Sequence, residues 1–121
     1  MSNNPKIERT RYIALTYGYN RTLTQQELWK LISSSCYSLF GTKGLIKMGL
    51  YLHYSSSNPF AIFRVSLNSV DNFLMGLAFC REFDKQPIVI FSLEISGTIK
   101  GLKNLEKSLI IKKLIEINAK R

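Results

Sequence analysis

The chain has 121 residues, of which 45% are hydrophobic and 12% aromatic, and its 17 Lys and Arg against 8 Asp and Glu give a net charge of +9. This length suits one domain, and the hydrophobic fraction excludes a disordered polypeptide. The apolar runs are shorter than the ~20 residues of a membrane span, and the first residues lack the apolar stretch of a secretory signal. We therefore expect one domain over residues 1–121, located in the cytoplasm, with residues 1–10 as a flexible arm.

The excess positive charge is unevenly distributed along the chain. Residues 97–121 contain seven basic and two acidic residues, whereas residues 59–96 contain three basic and four acidic residues. A polyanion is the first partner to consider, because Lys and Arg that neutralise phosphates release condensed counterions. The distribution predicts a basic face and a separate, nearly neutral face.

Residue types that serve in catalysis and metal binding are scarce. The two cysteines, Cys36 and Cys80, and the one histidine, His53, are far apart in the chain, and no Cys-x-x-Cys pair occurs. The carboxylates form no Asp-x-Asp or Glu-x-x-His arrangement that would hold Mg²⁺. We therefore expect no catalytic residues, no metal site and no cofactor on this chain, and two core cysteines.

The first two elements have clear local signals. A strand is predicted over Arg11–Tyr19, where β-forming residues predominate. Thr24 and Glu27 then match a capping box, in which each side chain accepts a hydrogen bond from the backbone amide of the other. The helix that follows is predicted to end near Phe40–Gly41, where glycine can adopt the left-handed conformation.

The later elements complete a recognisable order. Strands over Met48–Tyr54 and Phe60–Leu67 are predicted to form a hairpin through the polar loop Ser55–Pro59. The remaining predictions are a second helix from Asn68 or Ser69 to about Phe83, a strand over Pro87–Ile95 and a last helix over Asn104–Asn118. The order β-α-β-β-α-β-α predicts an α+β, RRM-like or ferredoxin-like sandwich with a four-stranded antiparallel sheet and an extra C-terminal helix.

The third strand bears on nucleic-acid binding. Phe60 and Phe63 fall on opposite faces of it and the glycine of an RRM motif is missing, so we interpret both rings as core residues rather than base-stacking platforms. Arg64 lies mid-strand, where a charge is costly unless that face is solvated or meets an anion. A salt bridge to a neighbouring strand is the alternative.

Basic residues on or beside the predicted strands are the candidate RNA contacts. The segment Ser96–Lys103 combines two glycines with two lysines, although it lacks the order and spacing of a P-loop, and a solvated turn also accounts for it. The candidates are Arg9, Arg11, Lys43, Lys47, Arg64, Lys100 and Lys103.

The second helix predicts a protein interface. Its residues Val70, Phe73, Leu74 and Leu77 share the face expected against the sheet. On the opposite side Met75, Phe79 and Phe83 recur at i, i+4 and i+8, where a surface helix is normally polar. We interpret them as a docking surface for another chain; the alternative is that the last helix folds over them.

Four short motifs together resemble a known family. They are Arg11-Tyr12-Ile13 at the first strand, Leu39-Phe40-Gly41 at the first helix, Arg64-Val65 on the third strand and Ser96-Gly97-Thr98-Ile99-Lys100 after the last. In order and spacing they are similar to protein component 2 of archaeal ribonuclease P and its eukaryotic counterpart, over roughly residues 11–103.

The resemblance implies an RRM-like subunit of a ribonucleoprotein that removes the 5′ leader of precursor tRNA. The implied partners are the ribonuclease P RNA, which would use Mg²⁺ for the hydrolysis, precursor tRNA, protein component 3 and a second copy of the chain in a 2:2 complex. The loop Ser55–Pro59 and the last helix match no motif of the family. Two alternatives stay open: a free-standing basic RNA-binding module, and a ferredoxin-like domain that binds a small molecule or acts as an enzyme. Acylphosphatase-like enzymes share this fold, and in such an enzyme Asn20 and Arg21 of the first loop would lie near the phosphate.

Overall fold

The computed structural model describes residues 9–108 and residue 117. Its elements are β1 (Thr10–Gly18), α1 (Gln25–Met48), β2 (Tyr51–Ser55), β3 (Phe60–Ser66), α2 (Val70–Ala78), β4 (Glu82–Phe83), β5 (Gln86–Pro87), β6 (Val89–Ser96) and α3 (Ile99–Lys103), with 3₁₀ turns at Leu67–Ser69 and Leu105–Lys107. The predicted arm, residues 1–10, and the predicted helix Asn104–Asn118 lie largely outside the described residues and stay predictions. Within the described part, no helix has the length and apolar character to cross a bilayer.

Four strands form one antiparallel sheet in the order β2-β3-β1-β6. The central strand β1 pairs with β3 from Thr10 opposite Ser66 onward, and with β6 from Tyr12 opposite Ser96 onward. The predicted α+β sandwich with split β-α-β connections is therefore confirmed.

The two faces of the sheet are covered differently. We call the side that packs against α1 and α2 the helical face and the opposite side the second face. The helical face holds the larger core, which includes Leu15 and Phe63. On the second face, Phe60 packs in a smaller core around Leu102 of α3. Phe60 and Phe63 are thus buried on opposite faces, as predicted, because consecutive strand residues alternate.

The capping box at the start of α1 is confirmed. The amide of Glu27 donates to Oγ1 of Thr24 at 3.1 Å, and the amide of Thr24 donates to Oε1 of Glu27 at 2.9 Å. The two hydrogen bonds satisfy backbone amides that have no partner within the helix. Residue types and spacing sufficed for this prediction because every partner lies within one helical turn.

The predicted end of α1 is wrong by two turns. Gly41 does have a positive φ of 71°, with ψ of −175°, but the chain kinks there and the helix resumes to Met48. Gly49, at φ 60°, ends it. Met48 is buried in the core and Leu45 packs against that core, so tertiary contacts favour the helix beyond the kink.

The predicted extent of α2 is also wrong, because the helix ends at Ala78. Asp84 and Lys85 both have positive φ and form the turn of a short β4–β5 hairpin. Phe83 belongs to β4, where its ring lies 5.8 Å from that of Tyr19 and its carbonyl accepts a hydrogen bond from the Tyr19 hydroxyl at 2.7 Å. Phe83 therefore packs against the core and does not extend the exposed row of Met75 and Phe79.

The segment after β6 packs on the second face and begins with a short helix, α3, that the sequence did not predict. This helix runs from Ile99 to Lys103 and Asn104 caps its end, and the described residues that follow form the 3₁₀ turn Leu105–Lys107. Leu102 is fully buried on the sheet, and this anchor holds the helix against β1 and β3. Beyond it, Glu106 accepts hydrogen bonds from the hydroxyl of Tyr54 at 2.9 Å, from the amide group of Asn58 at 3.2 Å and from Ser56, and so holds the β2–β3 loop.

Gly41 and Gly101 have equally open surroundings, so alanine variants at the two positions differ in backbone strain and not in steric crowding. A β-carbon at Gly41 or at Gly101 would have no heavy atom within 4 Å beyond its local chain neighbours, but only Gly41 has a backbone conformation reserved for glycine. We expect Gly41→Ala to lower the free energy of unfolding by about 1–3 kcal/mol. Gly101→Ala should be neutral or stabilising by up to about 1 kcal/mol. Urea denaturation checks both, and equal effects would contradict the kink.

Candidate nucleic-acid interface

The pairing of β1 with β3 and β6 brings several predicted basic residues to one end of the sheet. Here β1 begins while β3 and β6 end, so that Tyr12 lies between Arg64 and Ser96 in neighbouring strands. We call this region the basic end and define it by Arg9, Arg11, Lys47, Arg64 and Lys100. Residues as far apart in the chain as Arg9 and Lys100 thus contribute to one region.

Backbone and side-chain contacts hold the two arginines that precede and open β1. The amide of Leu67 donates to the carbonyl of Arg9 at 2.9 Å, which ties Arg9 to the end of β3. Arg11 donates from Nη1 to the carbonyl of Thr10 at 2.9 Å. A β-carbon built on Gly97 would lie 3.7 Å from Nη1 of Arg11, so the guanidinium lies beside the turn that follows β6.

Arg64 lies between two tyrosines on the second face. It pairs with Tyr12 of β1 and Tyr51 of β2, and its guanidinium carbon is 5.0 Å from the Tyr51 ring centroid. In residues 9–108 the one ion pair within 4 Å joins Arg21 and Glu27, so no described carboxylate pairs with Arg64. A cation–π contact takes the place of the salt bridge that the sequence left open as an alternative.

The predicted lysines divide between two locations. Lys47 precedes the last residue of α1, four residues before Tyr51, and Lys43 lies one helical turn earlier. Lys100 is the second residue of α3, shortly after β6 ends. Lys103 is separate from the basic end, because its Nζ lies 5.4 Å from the Tyr54 ring centroid, over the covered part of the second face.

The segment Ser96–Lys103 is mostly helical rather than an open loop. Only Gly97 and Thr98 separate β6 from α3, and the amide of Thr98 donates to Oγ of Ser96 at 3.1 Å. Of the features that suggested a phosphate site, the structure retains the exposed Lys100 and the short turn beside Arg11.

Arg21 does not resemble a phosphate ligand, because its guanidinium binds Glu27 with two hydrogen bonds of 2.7 Å. Together with the hydrogen bond from the amide of Thr24, this pair lowers the pKa of Glu27 from 4.5 to about 2. The geometry thus disfavours a phosphate site at this loop. Within the described ranges, no three His, Cys, Asp or Glu side chains lie close enough to hold a metal ion.

Both cysteines are buried, as predicted for core residues. Burial raises the pKa of the Cys36 thiol to about 11, and it raises the pKa of Cys80 as well. Neither thiol therefore has the lowered pKa of a nucleophile or metal ligand.

The predicted protein interface is smaller than the sequence suggested. Met75 and Phe79 are 48% and 58% exposed at α2 and its end. Phe79 borders a groove of about 340 Å³ between α1 and the end of α2. The described lining residues are Leu31, Ser34, Ser35, Ser38, Leu39, Phe79, Cys80, Arg81 and Glu82.

Three aromatic residues beside Arg64 were not predicted from the sequence to belong to this site. Tyr12, Tyr51 and His53 lie together on the second face. The ring centroid of His53 is 5.6 Å from that of Tyr12 and 6.0 Å from that of Tyr51. The spacing of Tyr51 and His53, two residues apart on a strand, is a signal that could have found them. RRM motifs place their rings on the third strand, so a search for those motifs does not detect this pair on β2.

The fold and this geometry define an RRM-like sandwich with a basic end and an exposed apolar groove. The sequence model of the Rpp14/Pop5 family matches residues 11–106, and the chain belongs to this family.

Its relatives agree with that assignment. The chain is 35% identical over 96 residues to "Ribonuclease P protein component 2" of Methanocaldococcus jannaschii, which covers 79% of this chain and 71% of that protein. It is 35% identical over 102 residues to the protein of the same name from Methanococcus aeolicus, covering 84% of this chain and 73% of that protein. A chain in the cryo-EM structure of yeast ribonuclease MRP has the same fold, with a TM-score of 0.59, 16% identity and 93% of each chain covered.

The lowered pKa of Glu27 predicts a particular loss of stability in acid. A carboxyl whose pKa is lower in the folded state stabilises the fold above its ordinary pKa of 4.5, and this contribution is lost as the pH falls toward 2. Glu27→Gln keeps a capping side chain but cannot titrate. Between pH 5 and pH 2.5 we therefore expect the free energy of unfolding to fall less in Glu27→Gln than in the natural chain.

Urea denaturation at the two pH values measures this difference. Glu94→Gln is the matched control, because no cation lies within 4 Å of Glu94 among the described residues. If the two variants lose equal stability in acid, the ion pair of Arg21 and Glu27 does not exist in solution.

Proposed function

We infer that this chain is a protein subunit of ribonuclease P that takes part in removing the 5′ leader of precursor tRNA. The observation that carries this inference is the family match over residues 11–106, together with relatives at 35% identity that have the name ribonuclease P protein component 2. The basic end supports it, because a subunit that binds a folded RNA needs cations on one part of its surface.

The hydrolysis itself is proposed to occur on the RNA subunit, which would hold the Mg²⁺ ions. The protein would contribute no catalytic residue and no metal ligand. Its part is electrostatic: Arg and Lys side chains neutralise phosphates that repel each other when the RNA is compact. The protein then lowers the Mg²⁺ concentration at which the RNA reaches its active conformation.

The basic end is the proposed RNA contact. Strand pairing places Arg9, Arg11 and Arg64 at one end of the sheet, and within the described residues none of them has a carboxylate within 4 Å. Their charge is therefore available to phosphates. The proposed contact extends along α1 and α3 through Lys43, Lys47 and Lys100. Lys103 lies over the Tyr54 ring, away from the basic end, and would contact the RNA only if the RNA extended past that ring.

The groove beside Phe79 is the proposed contact to another protein. Its apolar ring lies on a nearly neutral segment of the chain, which is where a protein subunit rather than an RNA would dock. The partner that we propose, from the resemblance to the archaeal family, is protein component 3. Self-association of the chain would then give a 2:2 complex in the cytoplasm.

The electrostatic part of the proposal predicts a Mg²⁺-dependent defect. Arg64→Ala or Lys100→Ala should lower cleavage of precursor tRNA by the cognate RNA several-fold at low Mg²⁺, and the loss should shrink as Mg²⁺ rises. Each substitution should also reduce the slope of RNA affinity against salt by about one phosphate contact. Reconstituted cleavage across a Mg²⁺ titration measures the effect.

Lys30→Ala is the control for charge alone, because Lys30 lies exposed in the first half of α1, outside the basic end. It should leave the Mg²⁺ dependence unchanged. Equal defects in all three variants would contradict a localised RNA contact. Tight binding to many RNAs without any activation would favour the free-standing RNA-binding module.

The protein contact predicts that Phe79→Glu prevents association with component 3. A charge in the middle of an apolar contact loses the burial of the ring, and affinity should fall about 30-fold or more. The thermal midpoint should change little, because Phe79 is exposed after the end of α2. Size-exclusion co-elution measures the association, and Tyr37→Glu, at an exposed aromatic on α1, is the matched control. Normal co-elution of Phe79→Glu would refute the assignment.

A further inference from the structure

The part of the second face next to the basic end carries an aromatic cluster, which we define as Tyr12, Tyr51, His53 and Arg64. Register places Tyr51, Arg64 and Tyr12 side by side in one row across β2, β3 and β1. His53 is the extra residue of a bulge between Leu52 and Tyr54, and its ring meets Tyr12 and Tyr51 edge to face. Three rings and one guanidinium thus lie together on one surface of the sheet.

This cluster lies beside the small core of the second face, which Leu102 of α3 seals. Tyr51 is 51% exposed and His53 is exposed, while Tyr12 and Arg64 are half-buried. Rings in these positions present surface to a ligand while their neighbours on the strands fix their orientation. A pre-oriented ring loses little conformational freedom on binding.

The charge around the cluster favours an anionic ligand. Arg64 lies against Tyr51 with no described carboxylate within 4 Å, and its stacking on the ring leaves guanidinium N–H groups for further hydrogen bonds. The rest of the basic end borders the cluster, since Arg9 and Arg11 flank the start of β1 and Lys47 precedes β2. Aromatic surface and uncompensated cations are adjacent.

We propose that the aromatic cluster binds an unpaired nucleotide of RNA, with the base stacked on the exposed Tyr51 and His53 rings. Arg64 would donate to the base edge or to the adjoining phosphate, and the basic end would hold the flanking phosphates. The nature of the RNA, a ribonuclease P RNA or its substrate, rests on the proposed function. Base stacking by this surface does not.

An unpaired strand fits the surface better than a duplex does. In A-form RNA the base faces are stacked on each other, so a duplex offers phosphates and hydroxyls but no ring faces to the tyrosines. Single-stranded RNA offers both ring faces and phosphates, and aromatic stacking beside a basic groove is the usual means of binding it. A protein partner would need acidic groups to match Arg64 and the cations around it.

The test compares the affinity of the full chain for two matched oligomers at one salt concentration. One is a short single-stranded oligouridylate, and the other has the same ribose-phosphate backbone without the bases. We expect the base-bearing oligomer to bind about tenfold more tightly. Tyr51→Leu should remove this difference. Tyr37→Leu, the same change at a tyrosine that is 53% exposed on α1, should retain it.

Several results would overturn the inference. Equal affinity of the natural chain for the two oligomers does so without any variant, whether or not Tyr51→Leu folds. An equal effect of the two leucine variants also overturns it. If Tyr51→Leu keeps the base preference but binds component 3 less tightly, the surface is a protein contact and the inference is wrong. Reconstituted cleavage is scored separately: activity without base preference defeats only this inference, and base preference without activity defeats only the proposed function.

Discussion

The antiparallel pairing of β1 with β3 on one side and β6 on the other is the constraint on which the rest of the structure depends. It opposes Tyr12 to Arg64 and to Ser96, residues separated by 52 and 84 positions in the chain. Because side chains alternate between the faces of a strand, the same register sends Phe63 to the helical face and Arg64 to the second face. A shift of one residue would bury the guanidinium and expose the phenyl ring. The same strand register therefore determines both the packing of the core and the placement of the basic end.

Cations gathered at one end of the sheet lower the stability of the fold, and contacts other than ion pairs limit this cost. Arg64 lies on the Tyr51 ring, and Arg11 is hydrogen-bonded to the carbonyl of Thr10 beside Gly97. These contacts hold the side chains in defined positions without neutralising them. By contrast Arg21, at the other end of β1, is neutralised by Glu27. The described residues thus combine an ion pair that stabilises a helix start with unpaired cations that are available to an RNA.

Residue patterns predicted the features whose causes are local. The capping box of Thr24 and Glu27 lies within one helical turn, and the opposite orientations of Phe60 and Phe63 follow from strand geometry. The misplaced boundaries have distant causes: a left-handed Gly41 is compatible with an ended or a kinked helix, and burial of Met48 decides for the kink. Likewise a helix through Phe83 satisfies local spacing, whereas Tyr19, 64 residues away, holds Phe83 in a strand. Of the site, the residue types were predictable. The spacing of Tyr51 and His53 was a signal for part of the aromatic cluster, but its grouping with Tyr12 and Arg64 was not predictable, because it needs the register of three strands and the bulge at His53.

The short segment after β6 determines which part of the second face stays open. Leu102 covers the apolar surface around Phe60, and Glu106 holds the segment to the β2–β3 loop through Tyr54, Ser56 and Asn58. The row of Tyr51, Arg64 and Tyr12, whose polar groups can meet solvent or a phosphate, lies beyond this cover. The family match extends from Arg11 in the basic end to Glu106 in this anchor. The matched region therefore contains both the surface that we assign to RNA and the contacts that confine that surface to one end of the sheet.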